Sequence, residues 1–171
     1  DGFVLAVPAA NKDIYIAHAS EGAALFRKLG ATRLVETWAE EVPHGKQTDF
    51  YRATKLEAGE VPLFSWVEYP DRATRMKAGQ DMMNDPDMAS MSEMPFDATR
   101  MIYGGFEVLN EIGARAKPGY VDAMISPVPV ANQEVYRAAA VAQAPLVMEH
   151  GALRVVDSWG DDGWARGAAG L

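Results

Sequence analysis

Apolar and polar positions follow the same succession in two places along the chain. Each place begins with a short apolar run that ends at a proline, residues 2–7 before Pro8 and residues 123–126 before Pro129. Apolar runs that are rich in branched residues and bounded by proline are typical of β-strands. A strand is therefore predicted at both places.

A helical pattern follows each of these strands. Apolar residues recur on one side of the first segment at a spacing near 3.6 residues: Ile14, Tyr15, Ala19, Gly22, Leu25, Phe26 and Leu29. Asn11 is predicted to cap the start of the helix through its side-chain oxygen, and Gly30 to end it in the left-handed conformation. Asn132 and Gly151 occupy the same places in the second segment.

A second strand comes next in both places. Alternation along a strand puts every other side chain on the same face. One face is thereby predicted to carry an apolar residue, a carboxylate and a tryptophan, twice: Leu34, Glu36 and Trp38, and Val155, Asp157 and Trp159.

These similarities form a repeat with a constant offset. Residues 1–42 align without a gap on residues 122–163, a shift of 121 positions, and 15 of the 42 pairs are identical. A fixed period indicates duplicated structural units. The chain is predicted to contain a complete unit at 1–111, a linker at 112–119, a half repeat (strand, helix, strand) at 120–162 and an irregular tail at 163–171.

The middle of the chain is predicted to complete the first unit. Residues 51–56 and 61–69 are expected to pair as a hairpin, followed by helices at 71–84 and 87–91 and a long strand at 100–109. The order strand, helix, strand, strand, helix, strand is that of the ferredoxin-like fold. The predicted class is α+β, a ferredoxin-like βαββαβ sheet with its helices on one face and an additional βαβ half repeat.

Composition and charge narrow the function classes. The formal charge of −8 comes without a cluster of Lys and Arg on one face, which argues against nucleic acid as a partner. No apolar run approaches the roughly 20 residues that span a bilayer, so no membrane association is expected. The absence of cysteine excludes disulfides and thiolate ligands and favours a cytoplasmic location.

Several stretches resemble a bacterial family, domain-of-unknown-function family 1428, the YbaA-like proteins. The longest is MPFDATRMIYGGF, which begins at Met94, and shorter ones are ETW at Glu36, VPHGK at Val42 and FSW at Phe64. The resemblance covers residues 1–111, and residues 120–162 resemble the first half of a second family unit. It implies a fold of the dimeric α/β-barrel group, in which two sheets pack face to face, and it implies no assigned reaction.

Two carboxylates are candidate proton acceptors. Glu36 and Asp157 are each flanked by an apolar residue and a tryptophan on a strand face, and a partly apolar pocket would raise the pKa of such a group so that it acts as a base. Exposure to solvent near a strand end is the other explanation for both residues.

The closing strand and the tryptophans supply the other candidates for ligand binding. Asp97 and Arg100 either orient a small anion or pair with each other, and Tyr103 either donates to a ligand or packs with its hydroxyl at the rim. The three tryptophans at strand positions either line an aromatic pocket or fill the core and the interface between sheets: Trp38, Trp66 and Trp159.

No metal or cofactor is predicted. His18 and His44 have no second ligand at helical or hairpin spacing, and His150 falls in a last helical turn. Glycine-rich phosphate loops, HExxH and the nucleophile elbow are all missing from the sequence.

Two functions of different classes remain open. The first is a metal-free enzyme or binding protein for a small molecule, and the second is a non-catalytic module for oligomerisation or interaction. A four-stranded sheet with helices on one face leaves its other face apolar, so a homodimer is expected in either case.

Overall fold

The computed structural model describes residues 1–160, which belong to two compact units, Asp1–Tyr103 and Gly104–Leu171. The second unit is described as far as Gly160. The predicted irregular tail at 163–171 lies outside the described residues.

The first unit is built on a four-stranded sheet in the order β2-β3-β1-β4. Its elements are β1 (Gly2–Pro8), α1 (Lys12–Lys28), β2 (Arg33–Glu36), α2 (Phe50–Ala53), β3 (Glu60–Glu68), α3 (Arg72–Met82), α4 (Pro86–Ser90) and β4 (Ile102–Gly104). Both β1 and β2 pair antiparallel with β3. This strand order is the ferredoxin-like one, and the predicted α+β class is confirmed.

The core of this unit forms where α1 packs against the sheet. Leu5 and Leu63 face each other across β1 and β3, and both are buried with Tyr15 of α1 in one cluster. Since side chains alternate along a strand, the odd-numbered residues of β1 and β3 point toward α1. Ser65 shares that face, and Glu36 of β2 is its partner in the ladder.

The ends of α1 follow the prediction only in part. Gly30 has φ +100, as expected for a left-handed helix end. The predicted capping role of the Asn11 side chain is wrong, because it forms no cap hydrogen bond and its Nδ2 instead donates to the carbonyl oxygen of Pro95 at 2.9 Å.

The predicted hairpin strand at 51–56 is also wrong. The first half of that segment belongs to α2, which begins after Asp49, and the other half contains no strand. The Asp49 carboxylate accepts a hydrogen bond from the backbone amide of Arg52 at 2.8 Å, and this N-cap stabilises the start of the helical turn. Thr54, at the end of the turn, is fully buried.

The closing strand is divided in two. Gly105 lies outside both strands, and β4 before it joins the four-stranded sheet, whereas β5 (Phe106–Gly113) after it pairs with another strand. Glycine weakens a strand interior and permits a break there. The two compact units meet next to this break, at Tyr103 and Gly104.

The second unit consists of β5, α5 (Gln133–Glu149) and β6 (Arg154–Gly160). Its two strands form an antiparallel ladder with a bulge between Val108 and Asn110. The first strand predicted for the half repeat does not form, since residues 114–129 contain neither helix nor strand. Pro127 replaces the residue equivalent to Ala6 there, and proline removes a donor that a ladder needs.

No helix within residues 1–160 is long and apolar enough to cross a membrane.

Candidate functional site

The first unit brings a tyrosine and a carboxylate together where α1 meets the edge strand β2. The Tyr15 hydroxyl donates a hydrogen bond to Oε2 of Glu36 at 2.5 Å. Tyr15 is only 4% exposed, while the Glu36 side chain keeps contact with solvent. The pair therefore connects the buried core to an accessible carboxylate.

The surroundings change the pKa of both groups. Burial is the main cause that raises the pKa of Glu36, and the hydrogen bonds from Tyr15 and Ser65 oppose it without cancelling it. The carboxylate thus remains accessible at one edge while protein atoms displace part of its water. The pKa of Tyr15 is raised by burial first and by the charge of Glu36 second, so Tyr15 stays a neutral donor.

An open pocket of about 390 Å³ lies beside this pair. Small residues of α1 and the first residues after β2 contribute to its wall, and its larger lining side chains are Lys12, Tyr15, Ile16, Leu34, Glu36 and Trp38. Leu34 and Glu36 of β2 line this pocket together with Thr37 and Trp38, which follow the end of the strand. The volume suits a small ligand.

Trp38 joins the polar and apolar parts of the pocket. Its ring lies 6.2 Å from the ring of Tyr15, and the ammonium of Lys12 lies 5.3 Å from its centroid. This is the geometry of a cation–π contact. The pocket hence combines an aromatic wall, a carboxylate and a cation.

A second cleft, of about 440 Å³, lies between the end of α1 and α3. Its two lysines are already paired, Lys28 with Asp85 and Asp87, and Lys77 with Asp81. Charges that are neutralised within the chain have less to offer a ligand, which makes the pocket at Glu36 the better candidate.

Arg100 and Asp97 belong to an ion-pair cluster away from that pocket. Arg100 donates to both carboxylate oxygens of Glu60 at 2.7 Å each, to Asp97 at 2.9 Å and to the Lys55 carbonyl at 3.1 Å. The Arg100 side chain is 14% exposed and that of Glu60 is 8% exposed. The arrangement ties the start of β3 to the segment before β4.

Tyr103 and Trp66 do not join Glu36 either. Tyr103 is 52% exposed and stacks on Phe3 with ring centroids 6.2 Å apart. Trp66 pairs with Val35 in the ladder, so it lies on the sheet face opposite Glu36, and its indole donates to Glu68 at 3.1 Å.

The second unit brings Asp157 and Trp159 together with Tyr136. The rings of Tyr136 and Trp159 lie 5.9 Å apart at 53°, close to the 6.2 Å and 58° of Tyr15 and Trp38. Burial raises the pKa of Tyr136, and the charge of Asp157 adds to this. Asp157 differs from Glu36 in its bonding, since its Oδ2 accepts from Asn110 at 3.2 Å.

Sequence reasoning on strand faces missed three residues of the site: Lys12, Tyr15 and Ser65. Tyr15 carried a signal, because Tyr136 aligns with it at the offset of 121 positions, but its place in an apolar stripe made it a core residue only. Ser65 and Lys12 reach the site through pairing and helix packing, which a single sequence does not show.

Residues 1–160 contain no group of three or more His, Asp or Glu side chains that could hold a metal ion.

Fold and site together define an α+β protein of ferredoxin-like topology with a tyrosine-bound carboxylate beside an open pocket. The chain belongs to the family described as "Protein of unknown function (DUF1428)", whose model matches residues 1–98 and 119–168. It is similar to "Uncharacterized protein YbaA" of Escherichia coli strain K12, 56% identical over 108 residues, which cover 63% of this chain and 92% of that protein. The proteins of the same name from Escherichia coli O157:H7 and Shigella flexneri match with the same figures.

Proposed function

We propose that this protein binds a small, largely apolar molecule in the pocket between α1 and β2 and exchanges a proton with it through Glu36. The observation that carries the proposal is the Glu36 carboxylate, hydrogen-bonded to Tyr15 at 2.5 Å and lining a pocket of about 390 Å³. A carboxylate with a raised pKa is a stronger base than a fully hydrated one.

The bonding of Glu36 leaves capacity for a ligand. A carboxylate offers roughly four acceptor positions, of which Tyr15 and Ser65 use two. Tyr15 also fixes the orientation of the carboxylate, because the tyrosine ring is buried in the core and contacts the rings of Trp38 and Phe96. A fixed acceptor binds its donor with less loss of conformational entropy.

Binding is tested by amide and indole NMR shifts while a library of small aromatic and aliphatic molecules is titrated. We expect shifts at Lys12, Ile16 and the Trp38 indole, and weaker binding after Glu36→Gln. Glu93→Gln is the matched control, because it removes the same charge from an exposed side chain outside the pocket. If no member of the library shifts the NMR resonances of the pocket residues, the proposed function is refuted.

Self-assembly is a second candidate function, and the second unit supplies the observation that favours it. The face of its two-stranded sheet opposite α5 exposes three apolar residues: Phe106 (45%), Val108 (54%) and Val156 (42%). A two-stranded sheet is marginally stable alone, and an exposed apolar face gains from cover. We propose a second copy of the chain as the occupant, which gives a homodimer.

Light scattering at micromolar concentration tests the dimer. We expect a dimer for the native chain and a monomer for Val108→Lys, since a buried ammonium without a partner opposes association. Met83→Lys is the control, because it adds the same charge at a side chain that is 83% exposed and outside this face. A native chain that is monomeric throughout would exclude assembly as its function.

A further inference from the structure

We infer that the ligand of the pocket is a small organic anion, a carboxylate with an apolar body, and that Lys12 selects it. The inference rests on the proposed function and names the class of molecule that the pocket takes. Lys12 contributes a positive charge to this pocket, whereas both lysines of the other cleft are neutralised by carboxylates of the chain.

Lys12 has no carboxylate partner in residues 1–160; its described contact is with the Trp38 ring at 5.3 Å. The ring holds the ammonium in place without using up its three N–H donors in conventional hydrogen bonds. Among the lysines that line the two pockets, Lys12 is the one without an acidic partner in residues 1–160. The donors are available to an anion that enters the pocket.

The start of α1 strengthens the same potential. Lys12 is the first residue of this 17-residue helix, so the positive end of the helix dipole lies at the same place. The Asn11 side chain does not cap this end, because it is bound to Pro95. Both effects favour a negative group beside Lys12.

Glu36 determines how the anion lies. A second negative charge next to Glu36 is unfavourable, whereas a protonated polar group next to it can donate a hydrogen bond. The ligand consequently carries its charge at the Lys12 end, a hydroxyl or similar donor at the Glu36 end, and an apolar body against Trp38. A hydroxylated aromatic acid has these three parts, and one ring fits the pocket volume of about 390 Å³.

The second unit lacks the selecting charge. Gln133 occupies the position equivalent to Lys12, and Arg137, one turn further along α5, lies 3.6 Å from Glu134. The tyrosine, carboxylate and tryptophan occur in both units, but the ammonium over the tryptophan occurs only in the first among the described residues. The substitution Lys12→Gln therefore reproduces in the first unit what the second already has.

The experiment compares para-hydroxybenzoate with para-hydroxybenzamide, which share the ring and the hydroxyl and differ in charge. Their affinities are measured by NMR titration of the full chain at neutral pH. We expect the acid to bind roughly tenfold more tightly, as for a hydrogen bond between charged partners. Lys12→Gln is expected to remove this preference and Lys12→Arg to keep it, and added salt should reduce it.

Lys46→Gln is the matched control, because it removes one positive charge from an exposed side chain outside the pocket lining. Equal affinity of the native chain for acid and amide overturns the inference but leaves the pocket function intact. A preference that survives Lys12→Gln in a chain with native circular dichroism overturns the role of Lys12. If neither probe binds while other library members do, the anion class is wrong; if no molecule binds, the proposed function fails with it.

Discussion

The Tyr15 hydroxyl donates to Oε2 of Glu36 at 2.5 Å and so connects the middle of the core to the end of an edge strand. Tyr15 is 4% exposed and packs with Leu5, Val7 and Leu63. Its hydroxyl can therefore move little, and the position of the carboxylate is set by core packing. The local chemistry of the pocket depends in this way on residues that do not line it.

Removal of the Tyr15 hydroxyl should change both stability and titration. We expect Tyr15→Phe to lower the free energy of unfolding by about 1 kcal/mol, the usual net contribution of one hydrogen bond. The pKa of Glu36 should rise further, because the hydrogen bond from Tyr15 is a cause that lowers it. Urea unfolding and NMR titration of the Glu36 carboxyl measure the two effects.

Tyr51→Phe is the control for this variant, since its hydroxyl donates to the Val42 carbonyl at 2.9 Å, away from Glu36. It should lose a similar stability and leave the Glu36 titration unchanged. A Glu36 pKa that is the same in the native chain and in Tyr15→Phe would show that the hydrogen bond has no influence on the carboxylate.

Glu36 should make stability fall as the pH rises. The pKa of Glu36 is raised in the folded chain, so between the unfolded value of about 4.3 and the higher folded value the folded state binds more protons than the unfolded state. The free energy of unfolding therefore decreases as the pH rises through this window. Glu36→Gln has no such loss and should be more stable relative to the native chain above the window than below it.

Urea unfolding at a series of acidic to neutral pH values tests this difference. Glu93→Gln is the matched control, because it makes the same substitution at an exposed side chain. Parallel curves for Glu36→Gln and the native chain would mean that burial does not raise the Glu36 pKa.

The two tryptophans on opposite faces of the sheet should differ in their effect on ligand binding. Trp38→Leu removes the aromatic wall of the pocket and the ring that contacts Lys12. We expect the affinity for pocket ligands to fall roughly tenfold, because stacking of a ring on an aromatic side chain is worth about 1–3 kcal/mol. Trp66→Leu should leave it unchanged, because Trp66 lies on the other face. Calorimetric titration of both variants with the tightest library ligand gives the comparison, and equal losses would contradict it.

Gly30 and Gly151 follow the two long helices α1 and α5. Alanine at these two positions separates the free-energy cost of backbone strain from that of a steric contact of the added Cβ. Both have φ +100, so alanine at either position is strained, by about 1–2 kcal/mol. A Cβ at Gly30 would also lie 2.8 Å from Cγ2 of Thr74, whereas a Cβ at Gly151 meets nothing within 4 Å. Gly30→Ala should therefore destabilise the chain more than Gly151→Ala.

Thr74→Ser removes the methyl group that causes this contact. In its background Gly30→Ala should cost no more than Gly151→Ala, as measured by urea unfolding of the single and double variants. A cost of Gly30→Ala that does not depend on Thr74 would place the strain in the backbone alone.

The ferredoxin-like topology was predictable because each of its main elements carries a local signal. Helices were predicted at 71–84 and 87–91, and α3 and α4 form there with Asp71 and Asp85 as acceptors for first-turn amides. The local sequence signal was weaker in segments whose structure depends on pairing with distant residues. No local feature of the sequence shows that the chain passes from one sheet to the other at Gly105. The segment at 51–56 was predicted as a strand from its apolar residues, but the cap at Asp49 starts a helical turn there.

The candidate site was half predictable for a similar reason. Alternation along one strand placed Glu36 and Trp38 on the same side, which is a property of local geometry. The partners of Glu36 come from a helix and from the neighbouring strand, so their identity depends on register and packing. Arg100 was assigned to two alternatives by sequence, and its bonds to Glu60, 40 residues away in the chain, could not be read from spacing.

The bond between Asn11 and the Pro95 carbonyl has a consequence for anyone who redesigns this helix. By capping statistics, aspartate or serine would serve as well as asparagine before α1. The Pro95 carbonyl, however, needs a donor, and an aspartate would place acceptor against acceptor. A change that suits the helix end by local rules would thus remove one of the bonds between α1, which carries Tyr15, and the stretch that begins at Met94.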